Sequence, residues 1–166
     1  LRDPSSREEI RQHLGYHPEI LSQVANHQEM RSIVYTLMKE MQASFDRNCE
    51  DEVLSLVFIC NHSRHRSIAV SWLTFALLQE MGAEIVKYQT SPSPRARGCG
   101  GRCERCTHKS EADQAAVLKS TEVVEEYWDE LVPEILQSRK ADRSRDDGGD
   151  DDDADRRAAP RQRRTR

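Results

Sequence analysis

The sequence predicts an α/β fold: a small parallel β-sheet with flanking helices, built on a βαβ core. Three observations carry that expectation. The run Val53-Leu54-Ser55-Leu56-Val57-Phe58-Ile59 has the length and β-branched content of a strand buried on both faces. Residues 67–81 are apolar nearly all round and too long for a strand, as a buried crossover helix is. Glu84-Ile85-Val86-Lys87-Tyr88-Gln89 then reads as a second strand. Strand, helix and strand over this length imply parallel pairing and a right-handed crossover.

The remaining elements follow in chain order. Residues 1–28 are polar and broken by Pro4, Gly15 and Pro18. Ser5-Ser6-Arg7-Glu8-Glu9 opens a short helix, and His17-Pro18-Glu19 starts another with proline in its first turn. The clearest helix spans residues 29–48. Met30, Ile33, Val34, Leu37, Met38, Met41 and Phe45 recur there at spacings of three and four, which makes one apolar stripe. Methionines on such a stripe are most simply core. Gly82 follows the next helix as a C-cap. Beyond a loop at 91–98, residues 110–119 and 121–137 read as two helices. Ser110-Glu111-Ala112-Asp113 resembles a capping box, Val124, Tyr127, Trp128, Leu131 and Ile135 form a docking stripe, and Pro133 should kink or restart the second helix. The chain divides into a folded domain at 1–138 and a disordered charged tail at 139–166. That tail carries the acidic block at 146–153 and six arginines between Arg156 and Arg166, with no apolar repeat.

The 166 residues suffice for one hydrophobic core. The net charge of −4 does not by itself point to nucleic acid. Locally, Lys87, Arg95, Arg97, Arg102, Arg105 and Lys109 face only Glu104, which is either a footprint for RNA phosphates or a solvated basic loop. No apolar run is long enough to span a bilayer, so no membrane partner is expected. Five cysteines without a secretory segment fit a reducing cytoplasmic or nuclear compartment.

Chemistry concentrates at two places. The first is the polar loop after the apolar run, Cys60-Asn61-His62-Ser63-Arg64-His65-Arg66-Ser67. Strand, short polar loop and helix is the layout of an anion site, where loop and helix N–H groups converge. Arg66 is the expected phosphate clamp, Asn61, His62, Ser63 and Arg64 line the loop, His65 orients it or binds the ligand, and Ser67 caps the helix. The Cys-x5-Arg-Ser outline also matches a Cys-dependent phosphatase with Cys60 as nucleophile. Ile59 stands where that pattern has His, and the loop lacks its glycine. Asp3 and Asp113 are the only general-acid candidates. The bland alternative is a core cysteine ending a strand.

The second place is Cys99-Gly100-Gly101-Arg102-Cys103-Glu104-Arg105-Cys106-Thr107-His108. Three cysteines and a histidine can complete a tetrahedral zinc shell, with Cys99, Cys103, Cys106 and His108 as ligands. His108 lies only two residues after Cys106, a tight spacing that leaves room for a fourth ligand elsewhere. Solvent-facing thiols in a flexible loop and a redox pair at Cys103 and Cys106 are the alternatives. Cys49 stands alone and carries no signal.

The 60–67 loop resembles that of the C-terminal domain of the RNase adapter protein RapZ family. That family has a buried strand ending in Gly-Cys-Thr-Gly-Gly-x-His-Arg-Ser, then a helix. Cys60, His65, Arg66 and Ser67 match, Arg64 fills the variable position, and Ser67-Ile68-Ala69-Val70 resembles the continuation. The likeness reaches back to Asp3-Pro4 and Gly15-Tyr16-His17-Pro18 and forward to about Gln89. Asn61, His62 and Ser63 depart from Thr-Gly-Gly. The resemblance implies an α/β domain whose loop binds a phosphorylated sugar and which takes part in RNA binding. It also implies a further strand just before Asp3-Pro4, so the chain reads as a fragment. Together these expectations describe a binding domain for a phosphorylated small molecule or nucleotide phosphate, with RNA as a further partner. The alternatives are a Cys60–Arg66 phosphatase-like enzyme and a zinc-stabilised interaction module.

Overall fold

In the computed structural model, residues 8–46, 53–60, 65–85, 87–90 and 98–146 are described. Five helices follow one another: α1 (Glu8–Arg11), α2 (Pro18–Ala25), α3 (Met30–Asp46), α4 (Arg66–Glu80) and α5 (Glu111–Asp146). The chain forms two compact units, Leu1–Leu131 and Val132–Arg166. The second contains the C-terminal part of α5, and the metal cluster described below lies within the first.

Local sequence sets the helix ends. His17 is the N-cap of α2, and its Nδ1 accepts from the Glu19 N–H at 3.3 Å, with Pro18 entering the first turn. α4 stops in a Schellman turn. The Ala83 N–H donates to the Leu78 carbonyl and the Gly82 N–H to that of Gln79, both at 2.9 Å, with Gly82 at φ 78°. Ser110 opens α5, accepting from the Asp113 N–H at 3.1 Å while its hydroxyl donates to the Asp113 carboxylate at 2.7 Å.

Burial follows the helical stripes. Ile20, Leu21, Val24 and Ala25 of α2 are buried, and α2 packs against α4, whose Ile68, Ala69, Val70, Leu73 and Leu77 are buried in turn. Each such Val, Leu or Ile side chain contributes roughly 1.5–3 kcal/mol. On α3, Met30, Val34, Leu37 and Met38 are buried, while Ile33 and Met41 are half-buried. On α5, Val117, Val124 and Leu131 are buried. The buried hydroxyls of Ser120 and Thr121 donate one turn back to the carbonyls of Ala116 and Val117, so neither is unsatisfied.

The parallel sheet is not there. Among the described residues none is in a β-strand, and the α/β expectation is replaced by a helical architecture. Residues 53–60 take no regular secondary structure, and none of the backbone groups of residues 53–59 makes a hydrogen bond within the described residues. Val53 is 67% exposed, Val57 82% and Ile59 86%, where a strand buried on both faces was expected. Residues 83–85 and 87–90 likewise take no regular secondary structure. Side chains hold this second segment instead: Tyr88 stacks on Phe75 at 4.6 Å, and the Tyr16 and Thr90 hydroxyls hydrogen-bond. The physical reason is that a helix satisfies its own backbone whereas a strand needs a partner.

Two smaller corrections concern α5. The two helices expected at 110–119 and 121–137 are one, running on through Pro133, and residues 139–146, expected in the disordered tail, belong to it. The boundary between the two units falls beside Pro133, at Leu131 and Val132. Residues 147–166 lie outside the described residues. No described helix is long and apolar enough to cross a membrane.

Candidate metal centre

Residues 98–109 coil into a knuckle. Gly100 and Gly101 take positive φ, 60° and 78°, a conformation that glycine adopts without steric cost. This turn aims the Gly101 N–H at the Cys99 sulfur, 3.3 Å away. The Arg102 N–H donates to the Cys99 carbonyl at 3.2 Å, and that of Thr107 to the Cys103 carbonyl at 3.0 Å. The three sulfurs thereby converge on one side of the knuckle.

A fourth donor comes from far away in sequence. The Nδ1 atom of His13 lies 3.5 Å from the Cys99 sulfur, 3.3 Å from that of Cys103 and 3.6 Å from that of Cys106. The Cys99 and Cys106 sulfurs are 3.7 Å apart, and all four donor atoms lie within 4.8 Å of one another. Zinc–sulfur bonds of about 2.3 Å and a zinc–nitrogen bond of about 2.0–2.1 Å, arranged tetrahedrally, put sulfurs about 3.8 Å apart and nitrogen about 3.6 Å from each sulfur. The three nitrogen–sulfur distances and the Cys99–Cys106 distance fit these values. It could hold a metal ion, and its donor set is compatible with zinc. Cys106 is buried and the other three donors are half-buried, so the site is largely shielded from solvent.

The thiols differ electrostatically. Burial opposes ionisation of Cys99, but hydrogen bonds from the Gly101 N–H, Cys103, Cys106 and His13 outweigh it and bring the group down to about 6. Burial pushes the Cys106 thiol well up, and the neighbouring Cys103 and Cys99 add to that effect. A bound cation reverses this order, because metal coordination deprotonates a thiol outright.

His13 is placed by the segment between α1 and α2, which is held from both sides. On the knuckle side, the Cys99 N–H donates to the Gln12 carbonyl at 2.9 Å, and Nε2 of His108 donates to the Tyr16 carbonyl at 2.6 Å. On the α4 side, Nε2 of the buried His65 donates to the carbonyl of His13 itself at 3.1 Å. Gly15 sits so close to the start of α4 that a Cβ there would lie 2.3 Å from the His65 carbonyl oxygen and 2.5 Å from the Ala69 nitrogen. Only glycine permits that approach. His17 stacks on His13 at 4.4 Å, and burial above all brings it down to about 4.

Cys99, Cys103 and Cys106 thus meet as the sequence suggested, but the fourth donor is His13, not His108. His108 sits at φ 52°, with its ring edge-on to Trp72 at 5.7 Å, holding the Tyr16 carbonyl. Its place two residues after Cys106 made it a candidate despite the tight spacing, but its ring turns to the 12–17 segment. No spacing rule joins His13 to a knuckle 86 residues away, and only tertiary packing reveals it.

The other expected site is described in part. Asn61, His62, Ser63 and Arg64 lie outside the described residues, as do Arg95 and Arg97 of the basic segment and Cys49. α4 begins at Arg66, so the N-cap position belongs to His65, which makes no side-chain cap bond, and not to Ser67. Ser67 is buried and accepts from the Cys60 thiol at 3.2 Å. Arg66 is half-buried in the first turn. Arg105 of the basic segment is paired with the Asp113 carboxylate at 2.9 Å. The Ser110 hydroxyl, and then Arg105, hold that carboxyl below its ordinary range. A carboxylate held ionised in a helix cap is poorly suited to the general-acid role a phosphatase needs.

Compared with known proteins, the chain matches no family model, no curated sequence and no solved structure.

Proposed function

We propose that the protein is a zinc-stabilised interaction module, with His13, Cys99, Cys103 and Cys106 as the ligands of a structural zinc ion. The observation that supports this reading is the set of donor distances, 3.3–3.6 Å from nitrogen to sulfur and 3.7 Å between two sulfurs. Four protein donors leave no open coordination position, which is the pattern of structural rather than catalytic zinc. Bound there, zinc ties the knuckle to the 12–17 segment, and through His65 and Gly15 to the start of α4. His65 is then an outer partner that steadies the ligand-bearing backbone. The phosphate and RNA expectations for the 60–67 loop and the 87–109 segment rest on sequence alone.

Metal analysis tests the reading directly. The purified chain should carry about one equivalent of zinc, and His13→Ala or Cys103→Ser should lower that stoichiometry. Cobalt substitution should give the intense visible absorption of a tetrahedral thiolate site. Hydrogen exchange after chelation should speed up in residues 98–109 and 12–17. Metal-free protein with slow exchange across both segments would refute the zinc assignment.

A further inference from the structure

We propose, resting on the zinc assignment above, that the knuckle is a redox switch: a hydroperoxide joins Cys99 to Cys106 as a disulfide, and the tie between the knuckle and the 12–17 segment is cut.

The four donors are divided unequally between two stretches of chain. Cys99, Cys103 and Cys106 all belong to the knuckle, and His13 alone comes from the segment between α1 and α2. A metal ion bound by all four joins the two stretches. Thiols can be oxidised to a disulfide and an imidazole cannot take part in one. Any disulfide formed among these donors therefore lies inside the knuckle and leaves His13 out.

Geometry selects the pair. The Cys99 and Cys106 sulfurs are 3.7 Å apart. A disulfide bond of about 2.0 Å asks them to approach by roughly 1.7 Å more. Cys103 instead lies nearest to His13, at 3.3 Å against 3.5 Å for Cys99 and 3.6 Å for Cys106. Gly100 and Gly101 follow Cys99, so the backbone that has to shift carries no side chain to oppose it. Of the pair, Cys99 is half-buried and Cys106 buried, so an oxidant reaches Cys99 first. The Gly101 N–H, 3.3 Å from the Cys99 sulfur, supports negative charge there.

The chemistry balances as follows with hydrogen peroxide. The Cys99 thiolate attacks one peroxide oxygen, the O–O bond breaks, and the hydroxide released takes a proton and leaves as water. The Cys106 thiolate then attacks the sulfenic sulfur of Cys99, the S–S bond forms, and a second hydroxide leaves as water. Two electrons pass from the two sulfurs to the peroxide. Zinc has no redox chemistry of its own and departs as the divalent ion, and Cys103 takes up a proton.

The test starts from the zinc content of the full chain purified under reducing conditions. Hydrogen peroxide is then titrated in against a peroxide-free control, with released zinc read by a chromogenic chelator and disulfides mapped by mass spectrometry. About one equivalent of zinc should leave per Cys99–Cys106 disulfide formed, with Cys103 still a thiol. A dithiol reductant and added zinc should restore the starting state. Hydrogen exchange in residues 12–17 should speed up, while 98–109 stay slower than in the chelated, reduced chain, because the new bond closes a ring within the knuckle. A reduced chain without zinc would overturn the metal assignment and the switch together. Zinc retained under peroxide, release accompanied by a Cys103 disulfide or by sulfinic acid alone, or equal exchange in the oxidised and chelated chains would overturn the switch and leave the metal assignment standing.

Discussion

The cysteine knuckle and the 53–59 segment make opposite use of their composition. The knuckle is polar, carries two glycines in left-handed conformations, and has no apolar stripe, yet neighbours hold it on several sides. The 53–59 segment is the most strand-like stretch of the chain, yet Val57 and Ile59 are more than four-fifths exposed. Hydrophobicity alone therefore does not fix a segment in place. A polar loop becomes ordered when its hydrogen bonds and donor atoms find partners. An apolar strand stays uncovered when its backbone finds none.

The sharpest way to break this contrast is to dismantle the proposed zinc site. Structural zinc sites contribute on the order of 10 kcal/mol to the folding of the segments that ligate them. Cys106→Ser should therefore release residues 98–109 from exchange protection almost completely. The α2–α4 core should persist, because Ile20, Leu21, Leu73 and Leu77 are buried and α2 packs directly against α4. Loss of all helical signal on chelation would show that the two are one cooperative unit.

A core substitution sets the scale for ordinary packing. Leu73 is fully buried, and Leu73→Ala should cost about 2–5 kcal/mol in denaturant unfolding. Gly15→Ala comes next, at roughly 1–3 kcal/mol, because the new methyl meets backbone atoms of α4 that have little room to move. It should also weaken zinc retention, since the same backbone carries His13. Unchanged stability in Gly15→Ala would mean that the 12–17 segment can back away from α4.

The pH dependence sharpens the picture further. His17 is brought from 6.5 down to about 4, first by burial and then by neighbouring charge. The unfolded chain therefore binds this proton more readily than the folded one. Stability from this group is complete above about pH 6.5 and falls as pH drops from there toward 4. His17→Asn keeps a capping acceptor for the Glu19 N–H and should flatten that part of the curve. A slope unchanged in the variant would assign the acid sensitivity to other groups, the cysteines of the proposed zinc site first among them. The smallest effect belongs to the exposed segment. Val57→Lys should change the stability of the chain by no more than about 0.5 kcal/mol, against several for Leu73→Ala.

How much of this was legible beforehand varies element by element. Proline in the first turn after His17, the three-four stripe from Met30 and the Ser110–Asp113 cap each act within a few residues. They read correctly because the interactions that decide them are themselves local. Cys99, Cys103 and Cys106 were recognisable as a cluster because their spacing lies within one knuckle. Strand pairing was not legible, because the apolar run at 53–59 says that a segment can be a strand without saying what it pairs with.

By itself, then, the sequence determined the proline start of α2, the apolar stripe of α3, the Ser110 cap of α5 and which three thiols could share an ion. Tertiary structure alone decided that His13 joins those thiols, that His108 turns instead to the Tyr16 carbonyl, and that the apolar run stays at the surface. Helix propensity, capping and turn chemistry involve neighbours in the chain, and their energies can be read in order along it. Metal geometry and strand pairing join residues tens of positions apart, and exist only once the chain has closed on itself.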